Sequence, residues 1–598
     1  MLLLLVAGLY ASNSGAPLVF DDQTFFGSNY VSAFGAAFRP DIARYWPYAT
    51  FVLQSLWLDQ MPEQMRPLNY LLHAACAVAL QHLLARFLLL ARSNVGEKLF
   101  ASGRRPPAGG YEEGVAWFVA AVFVLHPVAV YAVAYLVQRS MLLATLASLL
   151  MWHTFLTGLQ RGSSRWLWGS VICFYFAVFS KEHAVAAPIL PVALVLLFWH
   201  PKTIAAARRG LQIPQMPQIS LSSLLAILLA WLAIALAAIL PSARLLGTDY
   251  EPLLLHFPMG ADWHEHLWGL ERVHWMSILS QCHLFFKYLS VWLWPDPAAL
   301  SIDMREPFLT DLTAASSWSN LLLWLAFGGG ALALILAGRH WRRAMPSLVG
   351  VGLLTCWGLF VVELTTVRWQ EIFVLYRSYL WMTGLALGGA LLLQAVVSFL
   401  QRRCEAAWAA RTLSGILVLG MFFVLGLLAL LAHQRLQIFS SDLAVWQDAV
   451  RLIEQRRGHG GGTLPGDERA YFNRGIAYMQ HKEDRAAEAD FVEAIRLNPG
   501  YEDFHLNLGV VQFRQHQDAA ALSSLARALA LRPGFTAALM QRATVLEHLG
   551  RIPEALADFQ RACVLGSMQG CWYHHRHTHP ADTPFVFVPQ GHTSTALE

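Results

Sequence analysis

The stretch ERAYFNRGIAYMQHKEDRAAEADFVEAIRLNPG, residues 468–500, begins a pattern that returns after 34 residues. Its marked positions are Gly475, Tyr478, Ala487, Phe491, Ala494 and Pro499. The next unit has Gly509, Ala521, Leu525, Ala528 and Pro533, and a third has Ala543, Ala555, Phe559 and Ala562. Small residues at these offsets let paired helices pack closely, and proline ends the second helix of a pair. The pattern therefore predicts an α-solenoid of three helix pairs over residues 468–567.

This pattern resembles the tetratricopeptide repeat. The resemblance implies a stack whose concave face binds a peptide or protein, and it implies no catalysis. Cys563 and Cys571 flank the end of the last unit, and their spacing resembles the intra-repeat disulfides of secreted helical-repeat proteins. Such a bond would form in an oxidising compartment. We expect residues 568–598 to be a disordered tail, with metal binding by HHRHTH, residues 574–579, as the alternative.

The part of the chain before the repeats consists of long apolar runs. Only 14% of the 598 residues are charged, against roughly 25% in soluble proteins. Runs long enough for a helix to cross a bilayer predict eleven spans: 1–18, 68–91, 114–134, 140–158, 166–180, 184–199, 221–240, 319–337, 346–364, 379–400 and 412–432. The sequence thus predicts an all-α polytopic membrane bundle, residues 1–432. A connecting helix and Gly-rich linker, residues 433–467, would join it to the repeats.

Basic residues predict the orientation of this bundle. With eleven spans, five basic clusters fall on one side: Arg92, Lys98, Arg104 and Arg105; Arg161 and Arg165; Lys202, Arg208 and Arg209; Arg339, Arg342 and Arg343; Arg402, Arg403 and Arg411. The positive-inside rule makes that side cytoplasmic. A further apolar run, residues 275–294, carries Lys287 in its middle, so we interpret it as a helix in the outer interface; a span with Lys287 facing protein is the alternative. The net charge of +4 is too small to indicate nucleic-acid binding.

Polar side chains recur at the outer ends of the predicted spans. They are Asp21 and Asp22; His126, Gln138 and Arg139; Lys181, Glu182 and His183; and Glu371, Tyr376 and Arg377. Each group could be a solvated loop, a capped hairpin or an interfacial anchor. Together they suit a transferase, because a carboxylate can act as general base toward a hydroxyl and arginines can bind phosphate. Without nucleotide sugars or ATP outside the cytoplasm, its donor would be a polyprenyl-phosphate sugar.

Several short segments in this order resemble the transmembrane and tetratricopeptide repeat O-mannosyltransferase family of the GT-C superfamily. They are FDD (20–22), RPLNYLLH (66–73), HPVAVYAVAYLVQRS (126–140), FSKEHAVAAPILP (179–191), YRSYL (376–380) and LAVWQDAV (443–450). The resemblance implies a GT-C bundle of eleven spans, a lipid-phosphate sugar donor and Ser/Thr acceptors on protein. With the residue pattern, it gives catalytic candidates Asp21, Asp22 and Glu182, phosphate-binding candidates Arg139, Arg377 and Lys181, and further site candidates His126, His183 and Glu371.

The sequence therefore predicts a membrane glycosyltransferase in a bacterial inner membrane, with the repeats in the periplasm. Its partners would be membrane lipid, a lipid-linked sugar and an acceptor protein held by the repeats. No dedicated metal motif is present, so a divalent metal is optional. Two alternatives stay open. One is transfer of a whole oligosaccharide to a pilin-like protein, and the other is a non-enzymatic adaptor that recruits envelope proteins through its repeats.

Overall fold

The computed structural model describes residues 1–27, 38–58, 61–92, 111–198, 219–241, 270–309, 311–340, 344–368, 372–403 and 407–579. Across these ranges the chain is helical, and its one extended pairing is a single bridge between Met304 and Phe373. The described residues within Met1–Tyr250, Leu270–Met304 and Phe308–Asp442 form one compact unit, here called the apolar unit. Arg305–Pro307 and the residues from Leu443 onward form the second, the repeat unit.

The apolar unit is a helical bundle. Its α-helices are α1 (Leu2–Tyr10), α2 (Asp21–Gly27), α3 (Tyr45–Leu58), α4 (Arg66–Arg92), α5 (Glu112–Leu125), α6 (Val130–Val133), α7 (Arg139–Arg161), α8 (Ser164–Ser180), α9 (Ile189–Phe198), α10 (Leu221–Ile239), α11 (Leu270–Leu293), α12 (Ala315–His340), α13 (Ala344–Phe360), α14 (Ser378–Arg402) and α15 (Ala407–Ile438). Short 3-10 helices lie between them at Ala11–Asn13, Pro62–Met65, Leu136–Gln138, Glu182–Ala186, Pro297–Ala299, Val361–Leu364 and Leu375–Arg377.

Among the described residues, seven helical segments are long and apolar enough to cross a membrane: Pro62–Ala91, Leu136–Arg161, Leu221–Ile239, Ala315–His340, Ala344–Leu364, Leu375–Gln401 and Arg411–Ile438. They overlap seven of the eleven predicted spans. The other four predictions, 1–18, 114–134, 166–180 and 184–199, fall on shorter helices. The all-helical fold is therefore confirmed, and the structure supports seven candidate spans rather than about eleven.

The prediction of one helix over 114–134 is wrong. Helix α5 ends at Leu125, and His126 has an extended backbone with ψ near 129°. The cause is Pro127, because a proline disfavours the helical conformation of the residue before it and has no N–H to donate. The chain then turns through α6 and the 3-10 helix Leu136–Gln138 before α7 begins.

Helix α11 covers all but the last residue of the run 275–294 and contacts the ends of three other helices. Trp275 contacts Trp318 near the start of α12, with ring centroids 6.0 Å apart. Further along, Phe285 lies 5.0 Å from Phe360 at the end of α13. Near its own end, the Trp292 indole N–H donates to Ser378 Oγ at the start of α14 (2.9 Å). Its interfacial position in a membrane stays a prediction.

Glycines allow α13 and α14 to pack closely against each other. A Cβ at Gly352 would lie 2.6 Å from the Gly388 nitrogen, and a Cβ at Gly384 would lie 2.5 Å from the Cys356 nitrogen. These neighbours are main-chain atoms, which cannot rotate away. The two helices therefore approach this closely only because both positions lack a side chain. We call this contact the glycine seam.

The repeat unit consists of stacked helix pairs. After α16 (Asp442–Gly458), the pairs are α17 (Asp467–Gln480) with α18 (Asp484–Leu497), α19 (Glu502–Arg514) with α20 (Asp518–Leu531), and α21 (Thr536–His548) with α22 (Ile552–Val564). Pro499 and Pro533 lie just beyond α18 and α20, as the sequence pattern predicts. A bidentate pair, Arg474 with Asp490, ties α17 to α18.

The prediction of a disordered tail from residue 568 is wrong for its first part. Residues Met568–Thr578 form an additional helix, α23, and Ser567 caps it by accepting from the Gly570 N–H. A disulfide between Cys563 and Cys571 links α22 to α23. Residues 580–598 lie outside the described residues. The disulfide to α22 and the Ser567 cap together hold this short polar segment as a helix.

Candidate functional site

Asp22 is a buried carboxylate that accepts hydrogen bonds from the main chain at the start of the 3-10 helix Leu136–Gln138. Its Oδ1 accepts from the Val137 N–H (2.8 Å) and its Oδ2 from the Leu136 N–H (3.2 Å). The Arg66 guanidinium lies 3.9 Å from the same carboxylate, and both side chains are fully buried. Burial raises the pKa of Asp22 to about 7, although Arg66 and the main-chain N–H groups oppose the shift. Asp22 thus caps the 3-10 helix Leu136–Gln138, and an acceptor hydroxyl has no access to it here.

Asp21 differs from its neighbour because it is exposed. Its main-chain N–H donates to the Tyr135 hydroxyl (3.1 Å). The preceding residue, Phe20, has a φ of 55°, a left-handed conformation that side chains rarely adopt. This turn directs two adjacent carboxylates to different surroundings. If one of them acts as a base, the geometry favours Asp21.

Arg139 is occupied by contacts within the protein. Its three guanidinium nitrogens donate to Asn69 Oδ1 (2.8 Å), Thr50 Oγ1 (3.0 Å) and the Met65 carbonyl (2.8 Å). The guanidinium also lies over the Phe51 ring, 3.9 Å from its centroid, and the side chain is 0% exposed. The geometry gives Arg139 a role in joining α3, α4 and α7 and offers no open face to a phosphate.

His126 is likewise built into the fold. Its ring stacks on Trp292 with centroids 4.3 Å apart, and Nε2 lies 3.0 Å from the Trp292 carbonyl. The Val128 N–H donates to Nδ1 (3.3 Å). Because a carbonyl only accepts and an N–H only donates, these contacts fix the ring as the neutral Nε2–H form. His126 secures the break after α5 and contacts α11.

A second polar cluster begins at Glu182, in the 3-10 helix that follows α8. The Glu182 carboxylate accepts two hydrogen bonds from Arg44, at 2.6 and 3.2 Å. Lys181 Nζ lies 4.0 Å from Glu182 Oε1 and its side chain is almost fully buried. Arg44 has a φ of 62°, so a left-handed backbone presents its guanidinium to this carboxylate. Such strain is often retained at functional sites.

Glu363 forms the other half of this cluster. His183 Nε2 lies 2.9 Å from Glu363 Oε1, and Arg368 Nε and Arg377 Nη1 lie 3.4 and 3.7 Å from Oε2. The Glu363 side chain is only 2% exposed. Despite these short distances, both His183 nitrogens, Glu363 Oε1 and Arg368 Nε lack a well-aligned hydrogen bond within the described residues. Buried polar atoms of this kind normally find a partner, which a small rotation of these side chains, a water or a ligand would supply.

We call Arg44, Lys181, Arg368 and Arg377, with Glu182, Glu363 and His183, the basic cluster. Within the described residues it has four basic side chains and two carboxylates. Burial, and next the charge of Arg44, lower the pKa of the Lys181 ammonium to about 7. Even with Lys181 partly neutral, the three arginines outnumber the two carboxylates in a mostly buried setting, where electrostatic attraction to an anion is strong. Arginine pairs of this kind suit a phosphate-like oxyanion.

Two tyrosines connect Asp21 to the basic cluster. Tyr135, whose hydroxyl accepts from the Asp21 N–H, contacts the Tyr376 ring edge-on with centroids 5.9 Å apart. Tyr376 directly precedes Arg377 in the 3-10 helix Leu375–Arg377. An exposed carboxylate and a basic cluster therefore lie on either side of one aromatic contact. This arrangement could place a hydroxyl acceptor and an anionic leaving group side by side.

The structure brings together four residues that the sequence selected, Lys181, Glu182, His183 and Arg377. It holds Arg139 and His126 in separate, internally satisfied contacts, and Glu371 lies outside the described residues. The sequence reasoning missed Arg44, Glu363 and Arg368. Glu363 carried a signal, because it is a lone acid at the end of a predicted span, and such acids often have a functional role.

No three metal-ligating side chains converge anywhere in the part of the chain that the structure describes. The nearest approach to such a group in the HHRHTH segment is a stacked pair, His575 with His579, at 4.2 Å between centroids. His577 lies 2.9 Å from Glu547 Oε1 instead.

Comparison with known proteins concerns the repeat unit. Tetratricopeptide repeat profiles match residues 468–501 and 506–567. Two solved structures, titled "Crystal structure of MamA" and "Crystal structure of MamA protein", are 24% and 20% identical over 20% and 24% of this chain, covering 77% and 88% of theirs, each with a TM-score of 0.17. No curated protein matches the chain. The C-terminal region therefore contains tetratricopeptide repeats, as the sequence predicts, and these generally mediate protein–protein interaction.

Proposed function

We propose that the chain is a membrane glycosyltransferase of the GT-C type. It would move a sugar from a polyprenyl-phosphate donor to Ser or Thr hydroxyls of a protein, outside the cytoplasm. The observation that carries this proposal is the basic cluster, in which four basic side chains surround two carboxylates beside incompletely satisfied polar atoms. A buried site of this charge favours an oxyanion, and an apolar bundle favours a donor with a lipid tail.

In this proposal Asp21 accepts the proton of the acceptor hydroxyl. The hydroxyl oxygen then attacks the anomeric carbon as the bond from that carbon to the phosphate oxygen breaks. The polyprenyl phosphate leaves with the bonding electron pair, and Arg368 and Arg377 stabilise its charge. The resident contacts of Arg139 exclude it from this step, and Asp22 contributes by fixing the segment before α7. The repeats would hold the acceptor polypeptide, and the basic-residue pattern would put them in a bacterial periplasm.

The test is complementation of a gene deletion in the native host, followed by intact-mass spectrometry of envelope proteins. Asp21→Asn and Arg377→Gln should insert normally yet fail to restore the sugar mass, with rates lowered about 100-fold or more. Arg39→Gln is the matched control, because Arg39 forms an exposed pair with Asp41 outside the basic cluster. A full restoration by Arg377→Gln would reject the proposal.

A non-enzymatic adaptor is the second candidate, since tetratricopeptide repeat profiles match residues 468–501 and 506–567. The same strains separate the two functions. An adaptor keeps all activity in Asp21→Asn and Arg377→Gln, because both variants leave the repeat unit intact. A transferase loses the sugar mass in both.

A further inference from the structure

Glu363 occupies an unusual position for a carboxylate beside a proposed anion site. It lies in the 3-10 helix Val361–Leu364, directly after α13. Its partners come from three other segments: His183 from the helix after α8, Arg368 from the loop that follows Glu363, and Arg377 from the helix before α14. A negative charge here can act in two opposite ways, as a competitor for the anion or as the group that arranges its ligands.

The contacts of Glu363 favour the arranging role. Its side chain is 2% exposed, whereas the other carboxylate of the cluster, Glu182, is 43% exposed and bound bidentately to Arg44. Arg368 and Arg377 both approach the same oxygen, Oε2, at 3.4 and 3.7 Å. Two guanidinium groups this close repel each other unless a negative charge lies between them. The Glu363 carboxylate supplies that charge, and the 3-10 helix Val361–Leu364 fixes its position.

The distances also leave capacity for a ligand. At 3.4 and 3.7 Å the arginines are close enough for ionic attraction but too far for strong hydrogen bonds to Glu363. Arg368 Nε and both His183 nitrogens lack aligned partners within the described ranges. Glu363 thus attracts both arginines and contacts His183 while Arg368 Nε and the His183 nitrogens still lack an aligned partner.

We infer that Glu363 is a positioning residue that holds Arg368, Arg377 and His183 in the arrangement that binds the donor phosphate. This inference rests on the proposed function, because it assigns a role within the same anion site. Glu363 does not touch the reacting atoms. Glu363 fixes the positions of the arginine and histidine donors, although its own negative charge lowers the net positive charge of the cluster.

The direction in which one substitution changes phosphate affinity distinguishes the positioning role from the competing role. Glu363→Gln removes a negative charge from the cluster. If Glu363 only competes with the anion, the variant binds phosphate more tightly. If Glu363 positions the arginines, they separate in the variant, and phosphate binds at least tenfold more weakly. Glu363→Asp keeps the charge but withdraws the carboxylate by about one methylene, so positioning predicts weaker binding and competition predicts no change.

The experiment is a thermal-shift titration of the full chain in detergent with inorganic phosphate, against chloride at matched ionic strength. Asp448→Asn is the control, since Asp448 is a buried carboxylate of the repeat unit that forms an ion pair with Arg451. Its apparent Kd for phosphate should equal that of the wild type. The unfolding midpoint without phosphate reports whether each variant is folded. If Glu363→Gln does not fold, Glu363→Asp provides the test.

Each outcome decides one question. Weaker binding in both Glu363 variants supports the positioning role. A wild-type protein that binds, with Glu363→Gln or Glu363→Asp binding equally or more tightly, overturns the positioning role and leaves the anion site in place. A wild-type protein that shows no saturable phosphate binding overturns the anion site and the positioning role together.

Discussion

Two adjacent aspartates in this chain have different roles because their side chains face different surroundings. Asp22 accepts two main-chain N–H groups in a fully buried position beside Arg66, whereas Asp21 is exposed. The sequence shows only that both carboxylates follow an apolar run. Which one is buried depends on how α2 packs against residues 135–137, a tertiary contact that the local sequence does not indicate.

Removing the Asp22 side chain should therefore destabilise the fold, and removing that of Asp21 should not. Asp22→Ala leaves the Leu136 and Val137 N–H groups without an acceptor and Arg66 without its carboxylate. We expect a cost of about 3 kcal/mol, against about 0.5 kcal/mol or less for the exposed Asp21→Ala. Thermal unfolding of both purified variants checks this. Equal midpoints would mean that Asp22 does not cap the helix.

Lys181 should make anion binding depend on pH. Burial lowers the pKa of Lys181 to about 7 from its ordinary 10.5. The charges of Arg44, Arg368 and Arg377 also lower it, whereas the charge of Glu182 raises it. Between pH 7 and 10.5 the unfolded chain binds the proton and the folded chain does not, so this group's contribution to stability rises with pH across that window. Anion binding changes in the opposite direction, because the protonated ammonium attracts the ligand.

Sulfate is a suitable probe, because it keeps its charge over this pH range. Its affinity for the wild-type protein should rise roughly tenfold as the pH falls through about 7. Lys181→Met keeps the apolar stem and removes the charge, so its sulfate affinity should stay flat across the same range. A parallel rise in Lys181→Met would assign the pH dependence to another group, such as His183.

At the scale of elements, the glycine seam sets how closely α13 and α14 pack. Gly384→Ala would bring a Cβ within 2.5 Å of the Cys356 nitrogen and 2.8 Å of the Gly352 oxygen. Since these are main-chain atoms, the helices must separate, at a cost of about 2 kcal/mol. Gly389→Ala, on the same helix, meets nothing within 4 Å and should be neutral or stabilising by roughly 0.5 kcal/mol. Thermal unfolding of the two variants compares them directly, and matched losses would contradict the packing explanation.

The elements were predictable where a periodic pattern repeats. The helix pairs of the repeat unit follow from small residues at constant offsets, and the seven helices that are long and apolar enough to cross a membrane follow from length and composition. Local chemistry that interrupts a pattern was harder to anticipate. The turn at His126–Pro127 ends an apolar run that the sequence predicts as one span. The spacing of Cys563 and Cys571 indicated a disulfide, but the polar composition after Cys563 gave no sign of the helix Met568–Thr578.

At the scale of the whole molecule, the chain combines an apolar helical unit that contains the basic cluster with a repeat unit of a type that binds proteins. The sequence located three contiguous residues of the basic cluster, at 181–183, and one at Arg377. It could not locate Arg44 or link Glu363 to His183, because residues so far apart in the chain meet only after the helices pack. Tertiary contacts of this range leave no periodic signal.

The glycine seam has a consequence for ligand affinity. Glu363 lies eleven residues after Gly352, just past the end of α13, and Arg377 lies seven residues before Gly384, just before α14 begins. The two charges therefore lie roughly 10 to 17 Å from the seam along the two helices. If these charges bind an anion as proposed, a methyl group at Gly352 or Gly384, which forces α13 and α14 apart, would also separate Glu363 from Arg377. Anion affinity would then depend on residues that do not contact the anion.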